Sequence, residues 1–182
     1  MPYRAIDISS YAFGDRDEVL FDANIWLYIY GTYPPKDWRV SVYSNAYSHA
    51  LQSKCRIYFD LLVASEFVNR YARLVHALFT GAVLETPAQF KEFRESTNFK
   101  EVAQQITSDL KQIVQHCQRI ESDFPRLDVD AILNSFGRGE CDFNDLVLAE
   151  LCRTRNLTLV THDRDFKGLN VTVLTANQKL LA

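Results

Sequence analysis

The period of apolar positions changes several times along the chain. Residues 18–22, Glu-Val-Leu-Phe-Asp, form a short β-rich run ending on an acid, and Ala23-Asn-Ile-Trp-Leu-Tyr-Ile-Tyr30 follows at once. Strand, turn and helix is the economical reading. Gly31 and the prolines at 34 and 35 break the chain, and Asp37 can cap a helix that carries Val40, Tyr43, Tyr47, Ala50 and Leu51 on one side. Residues 55–59 predict a second strand. Residues 65–79 predict a largely buried helix stopping at Gly81, with Glu66 in or just ahead of its first turn.

Between residues 87 and 138 the pattern predicts helices and no strand. Asn98-Phe-Lys-Glu101 reads as a capping box, in which asparagine and glutamate satisfy each other's free backbone donors. Phe99, Val102, Ile106, Leu110, Ile113, Cys117 and Ile120 then recur at steps of three and four, one inward-facing stripe that Pro125 should end. Residues 128–136 predict a shorter helix before the Gly137-Arg-Gly139 break, which reads as a loop. Residues 142–153 return to a helix, and residues 157–161 and 170–174 to strands.

Strand and helix alternate at both ends with helices between, which implies a three-layer α/β/α arrangement around a mostly parallel sheet. At 182 residues, 47% of them hydrophobic, the chain suits one domain spanning residues 1–182, with a helical insertion at about 87–136. No apolar run approaches membrane-spanning length and residues 1–10 lack a signal-peptide pattern, so a cytoplasmic protein without membrane contact is expected. Cys55, Cys117, Cys141 and Cys152 are scattered, without zinc-ligand spacing, and read as reduced thiols. The net charge of −3 argues against a surface that grips nucleic acid everywhere. Any such contact must be local or assisted by a metal.

The acids fall where chemistry is expected. Ligands of open parallel sheets bind beyond the carboxyl ends of the strands. Asp22 and Asp163 lie at or just after two such ends, and Glu66 and Asp145 lie near the starts of two helices that follow loops. Four carboxylates brought together repel one another unless a cation sits among them. Oxygen-only ligands favour Mg²⁺ or Mn²⁺ over zinc, and such ions supply what phosphodiester cleavage needs, an acidified water and a neutralised phosphoryl oxygen.

With those positions in view, the sequence resembles the PIN-domain family, which includes ribonuclease toxins of bacterial toxin–antitoxin pairs. Val19-Leu-Phe-Asp-Ala-Asn24 matches its opening Asp-x-Asn, Ser65-Glu-Phe-Val-Asn69 its glutamate helix, Asp142-Phe-Asn-Asp-Leu-Val-Leu-Ala149 its third acid and Val160-Thr-His-Asp-Arg-Asp-Phe166 its closing Thr-x-Asp. The resemblance implies Asp22, Glu66, Asp145 and Asp163 as the acidic quartet, both catalytic and metal-holding. Asn24 and Thr161 match supporting polar positions that can orient a carboxylate, and Asp142 and Asp165 are extra acids nearby. It implies a Mg²⁺ or Mn²⁺ dependent ribonuclease acting on single-stranded or loop RNA, a small antitoxin partner and a homodimer. The stretch at 87–136 is longer than in the small toxins.

Bland readings stand beside these. Asp22 could end a strand in a turn, Glu66 could favour a helix dipole, and Asp163 and Asp165 could serve a local turn. Asp142 and Asp145 could cap a helix; Asp142 reads better as the cap and Asp145 as the site. His162 reads as a solvent-facing neighbour, and Arg70, Arg73, Arg138, Arg153, Arg155, Arg164 and Lys167 as mostly solvated surface. A PIN-like scaffold that binds RNA or protein with little turnover is a second hypothesis, and a metal-dependent hydrolase of small phosphate esters a third.

Overall fold

The computed structural model describes residues 3–81, 87–122, 124–139 and 141–182. Six strands, β1 (Arg4–Asp7), β2 (Glu18–Phe21), β3 (Arg56–Asp60), β4 (Gln118–Ile120), β5 (Thr158–Val160) and β6 (Thr172–Thr175), form one sheet in the order β1-β6-β5-β2-β3-β4. Every pairing is parallel, so the sheet is more uniform than the mostly parallel one expected. Helices α1 (Ala23–Tyr30) and α2 (Trp38–Gln52) join β2 to β3, and α3 (Leu61–Thr80), α4 (Pro87–Glu95) and α5 (Thr97–His116) join β3 to β4. The chain then steps back across the sheet through α6 (Val129–Gly137) and α7 (Phe143–Arg155) to β5, and closes with α8 (Gln178–Leu181). Because parallel crossovers are right-handed, steps in opposite directions carry α1–α5 and α6–α7 to opposite faces.

The central strands are short and buried on both sides: Val19, Leu20, Phe21, Leu159 and Val160 are all solvent-inaccessible or nearly so. Trp26 of α1 anchors the core, in contact with the rings of Phe21, Tyr47 and Phe59. Gly31 ends α1 because of space: a Cβ there would lie 2.3 Å from the Leu27 carbonyl oxygen. Among the described residues no helix is long and apolar enough to cross a membrane, and all four cysteines are free.

Three local expectations need correction. Asp60 caps α3 by accepting a hydrogen bond from the Leu62 N–H at 2.7 Å, so that helix starts before Ser65 and Glu66 sits in its second turn. Helix α5 begins at Thr97 after Ser96, so Asn98 and Glu101 lie inside it and form no capping box. The same helix ends at His116, not Pro125. Its apolar stripe holds through Ile113, but the chain then turns extended and residues 118–120 pair with β3 as an edge strand. In addition, residues 4–7, unassigned from the sequence pattern, form β1 beside β6.

Candidate active site

Strand order reverses between β2 and β5, and the crevice beyond their carboxyl ends is where open α/β sheets bind ligands. Asp22 follows β2 directly, and its N–H donates to the Val160 carbonyl of β5 at 3.0 Å, which locks the two strand ends together. The residue as a whole is 4% exposed. Oδ1 accepts from the Ala23 N–H at 2.6 Å, and Oδ2 accepts from the Asn24 amide and from the Thr161 hydroxyl at 2.7 Å. Thr161 Oγ1 in turn accepts from Asn24 Nδ2 at 3.1 Å and from the Asp163 N–H at 3.0 Å. Asn24 Oδ1 accepts from the His162 N–H at 3.2 Å. Asp22, Asn24 and Thr161 thus form one buried network that fixes the carboxylate and the loop after β5.

The other acids arrive from elements on different sides of the sheet. Helix α3 leaves the carboxyl edge after β3, and Glu66 lies about 8 Å along it at 1.5 Å per residue. Helix α7 runs toward the start of β5, so its own N-terminus, with Asp145 in the first turn, lies at the carboxyl edge. Asp163 heads the short 3₁₀ turn Arg164–Phe166, where it accepts from the Asp165 N–H at 3.1 Å. Glu66, Asp142, Asp145 and Asp163 line one cleft of about 290 Å³ together with Arg70.

Electrostatics ties these groups to Asp22. Burial first, and then the charges of Glu66 and Asp163, push the Asp22 carboxyl up to about 7 against the stabilising hydrogen bonds of Thr161 and Ala23. Asp145 is pushed up to about 8, by burial and then by Asp22, Asp163, Glu66 and Asp142. One side-chain cation enters the cleft: Arg70, one turn after Glu66, pairs with it at 2.9 Å. The sequence placed it among basic residues that are mostly solvated surface, with a minority able to position phosphates, and its i+4 spacing from Glu66 was a usable signal for the pair. Among the described residues no group of three or more His, Cys, Asp or Glu side chains is already close enough to hold a metal ion. Mutual repulsion gives a physical reason for carboxylates that share a cleft without closing on one point.

The remaining predicted residues separate. Asp142 occupies the N-cap position of α7 yet makes no side-chain capping hydrogen bond, and it borders the cleft. Asp165 is exposed and faces Arg164 at 3.7 Å instead. His162 is not a solvent-facing neighbour: it is half-buried, its Nδ1 lies 2.8 Å from the Tyr43 hydroxyl, and the rings of Tyr28, Trp38 and Tyr43 surround it. Burial and the nearby Arg39 lower its pKa.

The model of the PIN domain family matches residues 19–171, most of the chain and every residue of the site. The chain belongs to the PIN domain family. No curated protein matches it. Among solved structures, it is similar to VapBC2 from Rickettsia felis bound to a DNA fragment from their promoter, with 17% identity, 86% of this chain and 97% of that one covered, and a TM-score of 0.54. It is also similar to PAE2754 from Pyrobaculum aerophilum, with 18% identity, 91% and 93% covered and a TM-score of 0.48. FitAcB from Neisseria gonorrhoeae follows, with 18% identity, 86% and 96% covered and a TM-score of 0.43. At such identity the VapBC2 likeness speaks for the fold, and the PIN chain's chemistry has to be argued from its own residues.

Proposed function

We propose that this PIN domain is a metal-dependent ribonuclease that hydrolyses phosphodiester bonds in single-stranded or loop RNA. One observation carries the reading: Asp22, Glu66, Asp145 and Asp163 gather at the β2–β5 switch point, where burial first and one another's charge second push two carboxyls up to about 7 and about 8. Desolvated carboxylates arranged this way are an unfavourable design for a structural role and a favourable one for binding a cation.

The donor set fits a hard divalent ion. It is made of carboxylate oxygens, with no thiolate lining the cleft. Asp22, Glu66, Asp145 and Asp163 would hold Mg²⁺ or Mn²⁺, which supplies Lewis-acid stabilisation of a phosphoryl oxygen and an acidified water when bound. The protein's own contribution is positional. Thr161 and Asn24 fix the Asp22 carboxylate, and the Asp163 N–H ties the loop after β5 to the same hydroxyl, so two acids from distant parts of the chain keep one orientation. Asp142 adds charge at the rim, and Asp165 supports the turn that carries Asp163.

A small antitoxin is the partner this reading implies, and a basic side chain placed in the acidic cleft would suit it, as Arg70 does within the chain. Co-purification of a short, separately encoded chain checks that. The activity itself is tested by incubating the protein with a mixed RNA pool and Mn²⁺ beside Asp22→Asn. Metal-dependent cleavage lost in the folded variant supports the assignment, and equal cleavage by both rejects it.

A further inference from the structure

A second cleft, of about 430 Å³, adjoins the acidic one and shares Arg70 and Asp163 with it. Its lining carries more positive than negative charge. Arg70, Arg164 and Lys179 face one acid, Asp163, and Asn24, Tyr28, His162 and Asn177 complete the wall. Among the described residues the Arg164 side chain has a single ionic contact, at 3.7 Å to Asp165, and it is 71% exposed, so the guanidinium is available to an anion. Arg39 is committed elsewhere, paired with Asp37 and lying over the Tyr28 ring at 4.9 Å.

The rings beside this cleft are held in place. Tyr28 stacks on Tyr43 at 5.6 Å with an interplanar angle of 11°. The Tyr43 oxygen accepts from the Ala176 N–H at 3.0 Å and lies 2.8 Å from His162 Nδ1, while Asn177 Nδ2 donates to the His162 carbonyl at 2.7 Å. Against that fixed wall stands Trp38, 54% exposed, its ring centre 5.7 Å from that of His162. A large indole left in water beside a cationic cleft is the composition of a single-strand binding surface, where bases stack on rings and cations follow the backbone. In a duplex those base faces are already covered.

We propose that this second cleft seats an unpaired nucleotide next to the bond that is cut, its base against Trp38 and His162 and its phosphate between Arg164 and Lys179. The inference rests on the nuclease reading and adds to it a reason for strand selectivity: the acidic cleft performs chemistry, and the adjoining cleft admits only strands whose bases are free.

The test uses the full chain carrying Asp22→Asn, so that substrate survives, and measures anisotropy of a short labelled RNA, the same sequence as DNA, and an RNA duplex. Trp38→Ala should weaken binding of the unpaired RNA about tenfold or more, Trp38→Phe should restore most of it, and duplex affinity should stay unchanged. Arg164→Ala with Lys179→Ala should weaken every ligand and flatten the salt dependence. RNA bound more tightly than DNA, or the reverse, names the source of the strand and upholds the subsite either way. Unchanged affinity of Trp38→Ala for the unpaired strand overturns the subsite. If the parent protein with Asp22 intact still cleaves RNA, that failure belongs to the subsite alone; if the parent neither cuts nor binds nucleic acid, the nuclease reading falls first.

Discussion

Thr161 donates its hydroxyl hydrogen bond to Asp22 Oδ2 at 2.7 Å across 139 positions of sequence. That bond joins the ends of two adjacent strands and sets which way the acid at the switch point faces. Thr161→Val keeps the shape and deletes the hydroxyl. It should cost about 1–3 kcal/mol of stability, because buried partners lose their hydrogen bonds, and about 10–100-fold in Mn²⁺ affinity. Thr161→Ser should restore both, as read by urea titration and calorimetry.

Asp22→Asn removes one charge from the crowded edge; its single amide oxygen can still accept from Thr161 and Asn24, while the Ala23 N–H loses its acceptor. Cleavage should fall at least about a hundredfold, the scale expected when a preorganised electrostatic group is lost. The metal-free variant should also melt higher than the parent at pH 8. A gel assay and a thermal scan on the same sample separate a dead site from a broken fold.

Acidity couples the site to folding. Asp22 and Asp145 titrate near 7 and 8 when folded, against about 3.8 when unfolded. Between those limits the native state holds protons that the unfolded chain has released, so the contribution of these two acids to metal-free stability is fully present below about pH 4 and falls as pH rises to about 8. For the fully buried Asp22 the slope approaches about 1.4 kcal/mol per pH unit. Chemical denaturation in EDTA should show this decline. Asp22→Asn should flatten it, and Mn²⁺ should stabilise more at pH 8 than at pH 5; a stability that rises over this range contradicts the assignment.

Arg70 offers a change of opposite sign. It neutralises part of Glu66 through a half-exposed ion pair, worth about 0.2–1 kcal/mol. Arg70→Ala should therefore tighten Mn²⁺ binding by up to a few fold while weakening RNA binding. Calorimetry and anisotropy moving in the same direction would argue against this division of labour.

Gly31 provides a control away from the chemistry. Gly31→Ala would press a methyl group against the Leu27 carbonyl, where the ideal position lies 2.3 Å away. A loss of about 1–3 kcal/mol is expected from such overpacking, with Mn²⁺ affinity per folded molecule unchanged. Unfolding curves and calorimetry at saturating folded fraction check the pair.

Much of this was legible in the chain because local rules and tertiary structure agree there. Residues 18–22 announce a strand ending on an acid, and β2 ends one residue before Asp22. The three- and four-residue steps from Phe99 to Ile113 describe the buried side of α5. Beyond Ile113 the same spacing misleads, since Cys117 and Ile120 continue a helical pattern while pairing with β3 decides the backbone. Strand β1 went unseen because Arg4-Ala-Ile-Asp7 is short and polar at both ends, and only β6 gives it a partner. The early start of α3 hid in Asp60, a buried cap inside what reads as an apolar run. The surroundings of His162 could not be read at all: Tyr28, Trp38 and Tyr43 belong to segments more than a hundred residues away and meet it only once the sheet is assembled.

The adjacency of β2 and β5 has a consequence for the protein's birth. A ribosome presents the chain from its amino end, so a nascent chain that has emerged only through α5 exposes Asp22 and Glu66 but holds neither Asp145, Thr161 nor Asp163. The strand that completes the crevice is the last but one to be made. Under the proposed ribonuclease function the chain would stay inert toward the message and the ribosomal RNA that surround it until translation is nearly finished, with chain order itself acting as the safety catch.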